Sequence, residues 1–335
     1  MIKIGIIGCG HWGPNYVRNF NALADCKVVE CCDLSEEQLN KIKKQFPDIT
    51  TQTDYLKMLK NPEIDAVVVA TSTITHYQIA KDVLEHDKHV LIEKPITYLP
   101  KEGQELVKLS NQKGKILMVG HTFLYNAGIR KVKEYIDDGS IGKIYYLHAT
   151  RTHLGLIRED VNVIWDLAPH DISIFSYFLN MEPINVSAKG GFFLKKDRAD
   201  VSFLTLEYPN GIIGNIHVSW IDSNKVREIV VVGSKKRIVF DDLNPLEPVR
   251  VFEKGVTLEG TYDGFGEFKL ALRDGDIISP KVQMIEPLKT QCQHFLNCIT
   301  HNQTPFTDGK SGVKVVKVLR AIEESLAKNG VAVNV

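Results

Sequence analysis

Short apolar runs alternate with amphipathic segments over the first third of the chain. The apolar runs have the length of buried strands, and the segments between them carry apolar residues at helical spacing. One such segment opens with Ser35 followed by Gln38, which is a helix-capping box. Strands that alternate with helices predict a parallel, doubly wound α/β sheet that binds ligands at the carboxyl ends of its strands. The predicted strands are Ile2–Ile7, Val28–Cys32, Ala66–Ala70, Val90–Glu93 and Ile116–Val119.

The pattern changes at about Phe123. After one helix, Ile129–Asp138, long segments alternate apolar and polar residues with a period of two, which predicts a mostly antiparallel sheet in an α+β domain, with one open face. Two helical stretches, Glu286–Thr300 and Gly312–Lys328, close the chain, and Gly260–Phe268 is predicted to form a loop or arm. The predicted strands are Lys143–Thr152, Asn185–Phe193, Val201–Tyr208, Ile212–Trp220, Arg227–Val232 and Arg237–Phe240, with "PNG" joining the third and fourth.

The length of 335 residues predicts two domains. The change of pattern places them at residues 1–122, a doubly wound domain, and 123–335, an antiparallel domain with C-terminal helices. The exposed sheet face of the second domain favours a homodimer or homotetramer.

Composition excludes several classes of partner. Lys+Arg and Asp+Glu number 41 each, so no net charge favours nucleic acid or an anionic membrane. Six cysteines without a C-x-x-C pair indicate reduced, buried thiols, and neither a metal site nor a disulfide framework is predicted. The opening "MIKIGIIG" is too short for a secretory leader or a membrane span, so a cytoplasmic protein is expected.

The loop after the first strand predicts a dinucleotide site. It fits G-x-G-x-x-G between a predicted strand and a predicted helix, in the order typical of a Rossmann domain. The first glycine allows a tight turn, the second lets backbone approach a pyrophosphate, and the third lets the helix sit close to the sheet, with its N-terminal amides facing the phosphates. A glycine turn without a ligand is the alternative. The loop residues are Gly8, Cys9, Gly10, His11, Trp12 and Gly13.

Asp33 ends the second predicted strand, twenty residues after Gly13. A carboxylate there accepts hydrogen bonds from ribose hydroxyls and repels a 2′-phosphate, so NAD is favoured over NADP. Thr71 and His76, which follow the third predicted strand, are further candidates for the cofactor site. For His76 the alternative is a structural residue in the first helical turn after Thr75.

Two further stretches carry candidate chemistry. In Glu93-Lys94-Pro95, Lys94 lies at the carboxyl end of a strand, where an ammonium group can stabilise a developing alkoxide, although a solvated lysine fits equally well. In "IWDLAPHDISIF", Asp166 and His170 are four residues apart and share a face if the turn around Pro169 is helical. Read as a helix N-terminus, the same stretch explains Pro169 and Asp171 as first-turn residues and makes His170 structural.

Together, the glycine-loop opening, Asp33, "EKP", "WDLAPHD" and the closing "DGKSGVKVVKVLRAIEESLAKNG" resemble the glucose-fructose oxidoreductase / inositol dehydrogenase / MocA family over nearly the whole chain. The resemblance implies an NAD-dependent dehydrogenase whose catalytic residues are Lys94, Asp166 and His170. In this interpretation His170 is the general base, Lys94 holds the substrate oxygen and Asp166 binds a neighbouring hydroxyl. It also implies a cis peptide between Lys94 and Pro95, with Glu93 at the cofactor site.

Basic and polar residues near these motifs indicate the class of substrate. Arginine forks suit carboxylates and phosphates, so the cluster favours an anionic substrate. The combination of "GxWGPN", "LGLIREDVN" and "WDLAPHDIS" looks most similar to the branch of the family that oxidises UDP-N-acetylglucosamine or its uronic acid at C3, for the synthesis of surface polysaccharides. A free inositol or sugar dehydrogenase and a non-catalytic NAD-bound sensor are the alternatives. The candidate substrate residues are Tyr125, Arg151, Arg158, Asn162, Lys225 and Arg227.

Overall fold

The computed structural model describes residues 1–155, 157–259 and 269–335. It divides into two compact units: unit 1 comprises Met1–Tyr125 and Ile285–Lys317, and unit 2 comprises Asn126–Met284 and Val318–Val335. The division differs from the predicted single boundary at residue 122, because a C-terminal segment returns to unit 1. The predicted loop or arm at Gly260–Phe268 lies outside the described residues.

Unit 1 contains the predicted doubly wound sheet. Its six strands pair in parallel in the order β3-β2-β1-β4-β5-β6, so the order reverses between β1 and β4. Such a reversal opens a crevice at the carboxyl ends of the strands. The strands are β1 (Ile2–Ile7), β2 (Cys26–Cys32), β3 (Thr50–Gln52), β4 (Ala66–Val69), β5 (His89–Glu93) and β6 (Leu117–Gly120), and the helices between them are α1 (Gly13–Asn21), α2 (Glu36–Gln45), α3 (Tyr55–Leu59), α4 (His76–Glu85) and α5 (Pro100–Lys113).

The hydrophobic core of unit 1 includes side chains from two distant parts of the sequence. Helix α8 (Pro287–His301) buries Cys292 and Phe295 among residues of α1 and the sheet. The rings of Phe20 and Phe295 meet edge to face with centroids 6.5 Å apart. All six cysteines of the chain are free and buried, as predicted.

Unit 2 is built on a nine-stranded sheet with the order β16-β13-β12-β11-β7-β10-β9-β8-β17. Most of the described pairs are antiparallel, as predicted, and β7 with β10 is parallel. The strands are β7 (Ile144–Leu154), β8 (Asn185–Gly191), β9 (Val201–Glu207), β10 (Ile213–Ser219), β11 (Ile221–Gly233), β12 (Arg237–Asp241), β13 (Val249–Phe252), β16 (Ile277–Ile278) and β17 (Val333–Asn334), with a separate hairpin of β14 (Gly255–Glu259) and β15 (Lys269–Arg273).

The helices of the second half are α6 (Ala127–Asp137), α7 (Val163–Leu179) and α9 (Gly309–Ala327), the last of which begins in unit 1 and ends in unit 2. Helix α7 begins at Val163, whereas the interpretation as a helix N-terminus placed Pro169 in the first turn. Asn162 caps it by accepting hydrogen bonds from the backbone N–H groups of Ile164 and Trp165, each at 3.1 Å. Pro169 and Asp171 therefore lie inside the helix, so that expectation was wrong.

One face of the sheet in unit 2 carries exposed apolar side chains. Tyr146 lies opposite Ile213 in register, and Phe203 stacks on His217 across the neighbouring pair, with ring centroids 4.4 Å apart. Tyr146, Phe203 and Ile213 are each about half exposed. Across the described residues, no helix combines the length and the apolar character that a bilayer crossing needs.

Candidate active site

The glycine loop has a backbone that only glycine can form at two positions. Gly8 has φ +94°, and a Cβ there would lie 2.6 Å from the carbonyl of Ala70. A Cβ on Gly13 would lie 2.1 Å from the carbonyl oxygen of Gly8, because α1 starts directly against the loop. A Cβ on Gly10 would meet no atom within 4 Å, so this residue faces open space. The loop therefore leaves a cradle beside Gly10 that a pyrophosphate fits.

The start of α1 supports that fit. Trp12 is the N-cap residue, and it provides no side-chain acceptor for the first amides of the helix. His11, Trp12 and Gly13 thus lead into a helix N-terminus that has Pro14 in its first turn and no side-chain cap, and such a terminus attracts an anion.

Asp33 is fixed at the edge of the loop. Its Oδ2 accepts a hydrogen bond from the backbone N–H of Cys9 at 2.6 Å, and its Oδ1 accepts one from the N–H of Ser35 at 2.8 Å. Each carboxylate oxygen has a second acceptor site that can bind a ribose hydroxyl. The residues present thus fit NAD, and the negative charge of Asp33 opposes a 2′-phosphate.

His76 links the turns that follow β4 and β5. It is the first residue of α4, which agrees with the alternative that His76 is a structural residue in the first helical turn, and its ring is buried. Its Nδ1 lies 2.8 Å from the carbonyl oxygen of Pro95 and its Nε2 lies 3.1 Å from that of Thr71. His76 therefore fixes Thr71 and the segment after Lys94 in place within unit 1.

Lys94 follows the last residue of β5 and is 7% exposed, and its peptide bond to Pro95 is cis, as the resemblance implied. Glu93 and Gly120 are partners in the sheet, so Lys94 and His121 each follow a paired strand end. Burial, with a smaller contribution from the charge of Lys94, lowers the pKa of His121 to about 3. His121 was not among the predicted site residues, although its place directly after a predicted strand was an available signal.

Asp166 and His170 lie on one face of α7, as their spacing predicted. Between Val163 and Phe175 these two residues are partly exposed, whereas the other residues of this stretch are buried. Asp166 accepts a hydrogen bond through Oδ2 from the indole N–H of Trp220 at 3.0 Å, and its Oδ1 lies 3.4 Å from a guanidinium nitrogen of Arg158. Trp220, which orients the carboxylate, was missed because nothing in the sequence links it to Asp166.

The predicted anion-binding arginines already have carboxylate partners. Arg151 donates to both oxygens of Asp171, at 3.0 and 2.7 Å, and both side chains are buried. Arg158 makes a similar two-bond contact with Asp160, at 2.9 and 2.5 Å. Arg227 lies 3.3 Å from Asp242. These ion pairs reduce the positive charge that would be available to bind the predicted anionic substrate.

The remaining substrate candidates have mixed surroundings. Asn162 caps α7 with its side chain. Tyr125 is buried, with its hydroxyl 3.1 Å from that of Thr307. Lys225 is exposed. His153, which was not among the predicted site residues, is close enough to Asp166 for the carboxylate charge to raise its pKa, but burial has the larger effect and lowers it.

A glycine loop that leads into a helix N-terminus, with a carboxylate placed for a ribose, defines an NAD-binding Rossmann domain. Comparison with family models supports this class: residues 2–121 match the oxidoreductase family with an NAD-binding Rossmann fold, and residues 129–239 match the GFO/IDH/MocA C-terminal domain. The chain belongs to the Gfo/Idh/MocA family of sugar oxidoreductases, and its cofactor is NAD.

The chain is similar to several characterised relatives. It is 25% identical to a UDP-N-acetylglucosamine 3-dehydrogenase of Acidithiobacillus ferrooxidans, over 94% of both chains. It is 26% identical to a myo-inositol 2-dehydrogenase of Thermotoga maritima, over 76% of this chain and 79% of the relative. Its fold matches the WlbA dehydrogenase from Bordetella pertussis, solved in complex with NADH and UDP-GlcNAcA, with a TM-score of 0.81, 20% identity and coverage of 100% and 98% of the two chains.

Proposed function

We propose that this protein oxidises C3 of a nucleotide-activated amino sugar, UDP-N-acetylglucosamine or its uronic acid, with Lys94, Asp166 and His170 as catalytic residues. The relative that acts on UDP-N-acetylglucosamine supports this substrate, because the similarity extends over 94% of both chains. The product would enter the synthesis of surface polysaccharides.

The observation that carries the proposal is the exposure pattern of α7. A helix otherwise buried from Val163 to Phe175 presents one carboxylate and one imidazole, a turn apart, on its partly exposed face. Such a pair suits an alcohol: the imidazole accepts the hydroxyl proton while the carboxylate binds a neighbouring hydroxyl. Trp220 and Arg158 orient Asp166 for this role.

The glycine loop and Asp33 would hold NAD, which would supply the acceptor for the hydride that leaves the carbinol carbon. His170 takes the proton from the carbinol oxygen, so that a ketone forms. The ammonium group of Lys94 binds the same oxygen and stabilises the negative charge that develops on it. Burial of Lys94 strengthens this interaction, because water competes less for its charge.

One observation favours a second candidate, an uncharged cyclitol or free sugar. The three arginines expected to bind an anion are engaged by Asp171, Asp160 and Asp242. An uncharged polyol would leave these ion pairs intact, and a myo-inositol 2-dehydrogenase is among the relatives.

The test is NADH formation by the purified protein with a panel of substrates. The panel contains UDP-N-acetylglucosamine, its uronic acid, myo-inositol and glucose, each with NAD and with NADP, and with and without 2-oxoglutarate as a second substrate. Lys94→Ala and His170→Ala are measured beside Lys101→Ala, which changes an exposed lysine on α5.

Turnover of a UDP-sugar that both active-site variants abolish and Lys101→Ala preserves is the expected result. Turnover of inositol or glucose alone would keep the reaction and replace the substrate. Tight NAD binding without turnover of any compound would make the protein a sensor instead.

We also propose that the apolar sheet face of unit 2 forms a homodimer or homotetramer interface, which light scattering after gel filtration would test.

A further inference from the structure

Four side chains of unit 1 form a continuous chain of hydrogen bonds. Thr122 Oγ1 donates to Gln291 Oε1 at 2.8 Å, Gln291 Nε2 donates to the Tyr16 hydroxyl at 2.9 Å, and Tyr16 donates to Glu93 Oε1 at 2.6 Å. Tyr16, Gln291 and Glu93 are buried. We call Thr122, Gln291, Tyr16 and Glu93 the buried chain.

The buried chain connects elements that are far apart in sequence. Tyr16 is on α1, Glu93 ends β5, Gln291 is on α8 and Thr122 follows β6. Gly120 leaves the space for the bond between Tyr16 and Glu93, because a Cβ there would lie 3.2 Å from both the Tyr16 hydroxyl and Glu93 Oε1. Burying polar side chains is costly unless each of their hydrogen bonds is made. The positions of these side chains relative to one another are therefore closely constrained.

The buried chain ends beside Lys94. The second oxygen of Glu93, Oε2, accepts a hydrogen bond from the backbone N–H of Lys94 at 3.1 Å. The carboxylate is therefore held between the phenol of Tyr16 and the backbone of the residue that we assign to catalysis. At the other end, Thr122 directly follows His121, the neighbour of Lys94 at the adjacent strand end.

The proton of Tyr16 stays on its oxygen. Burial, and then the negative charge of Glu93, raise the pKa of Tyr16 well above its usual value. The phenol is consequently a donor to Glu93 at any working pH, and the direction of the bonds along the buried chain is fixed.

We propose that Tyr16 and Gln291 are positioning residues, which act through Glu93 to hold Lys94 in its reactive place. This inference rests on the catalytic role of Lys94 in the proposed function. A merely structural role would lower thermal stability and leave the turnover of the folded enzyme unchanged, whereas a positioning role lowers kcat.

The test compares Tyr16→Phe and Gln291→Leu with Tyr55→Phe in the full-length enzyme. Tyr55 is the matched control, because its hydroxyl also donates to a carboxylate, Asp82 Oδ2 at 2.8 Å, on a different part of unit 1. We expect kcat of Tyr16→Phe to fall at least about tenfold, which is the lower end of the contribution of one hydrogen bond to a charged group. The Kd for NAD and the KM for substrate should stay within about twofold, and Tyr55→Phe should match the wild type.

A double-mutant cycle with Lys94→Ala separates the two proposals. If Tyr16 acts through Lys94, Tyr16→Phe causes no further loss in the Lys94→Ala background, measured in single turnover with excess enzyme. An inactive Lys94→Ala together with a fully active Tyr16→Phe would overturn the positioning role and leave the proposed function standing. A fully active Lys94→Ala would overturn both. If Tyr16→Phe does not fold, Thr122→Val at the far end carries the test, with a loss of about threefold expected and wild-type kcat as the contradicting result.

Discussion

The ion pair between Arg151 and Asp171 provides a sharp test of the structure of unit 2. Two hydrogen bonds of 3.0 and 2.7 Å join β7 to α7, and the side chains are 5% and 1% exposed. The change Asp171→Asn keeps the size of the side chain and removes its charge. The guanidinium group of Arg151 then stays buried without its carboxylate.

The expected loss is large because the remaining charge has already lost its hydration. Removing one partner of a buried ion pair costs about 3–5 kcal/mol of unfolding free energy. For a unit of this size, the corresponding decrease in Tm is about 6–20 °C. Replacing both residues, as in Arg151→Met with Asp171→Leu, should restore most of the stability, since a well-packed apolar pair is often as stable as the ion pair.

Chemical denaturation followed by tryptophan fluorescence measures the effect, because Trp165 and Trp220 are buried in unit 2. The control is Glu324→Gln, which breaks the exposed pair with Lys328 and should cost less than about 1 kcal/mol. A loss below about 1 kcal/mol for Asp171→Asn would refute the buried ion pair. If stability were kept and turnover of an anionic substrate were lost, Arg151 would instead be a substrate residue, as the sequence analysis predicted.

Three further predictions concern unit 1. Gly10→Ala should weaken NAD binding at least tenfold and leave Tm unchanged, since the added Cβ meets only the open space of the cofactor site. Gly13→Ala should lower both the affinity for NAD and Tm, since its Cβ would meet the carbonyl of Gly8. NAD titration and thermal unfolding distinguish the two variants. Asp33→Ala should raise the ratio of kcat/KM for NADP to that for NAD, because the charge that repels a 2′-phosphate is removed; an unchanged ratio would exclude this role of Asp33. The pKa of His121 is lowered to about 3 in the folded protein, so between about pH 6.5 and 3 only the unfolded chain binds a proton at this residue. The free energy of unfolding therefore falls as the pH falls through this range. His121→Asn should reduce the slope of unfolding free energy against pH by up to about 1.4 kcal/mol per pH unit, measured from denaturation curves.

The elements that the sequence predicted well are those with a local signal. The strands of the doubly wound sheet, the capping of α2 by Ser35 and the shared face of Asp166 and His170 follow from spacing alone. The strand Thr50–Gln52 was missed, because three polar residues make no apolar run. Its place in the sheet comes from pairing with β2, which is a tertiary contact.

The features that could not be predicted depend on partners distant in sequence. The amphipathic pattern of α8 shows a helix, but it does not show that Phe295 packs on Phe20 rather than on unit 2. Likewise, an arginine in the sequence can bind a substrate anion or a buried aspartate equally well. The pairing of Arg151 with Asp171 could therefore be seen only in the structure. Even the start of α7 was misjudged, because Pro169 is more conspicuous than the capping residue Asn162.

The return of residues 285–317 to unit 1 has a consequence for biosynthesis. The ribosome completes the first 125 residues early, yet the interior of unit 1 lacks Gln291, Cys292 and Phe295 until the last part of the chain emerges. The apolar surface of the nascent nucleotide-binding unit therefore stays uncovered while residues Asn126–Met284 of the second unit are translated. Such exposed intermediates are the usual clients of chaperones. A protein truncated before Ile285 would keep every residue of the glycine loop and still be expected to aggregate.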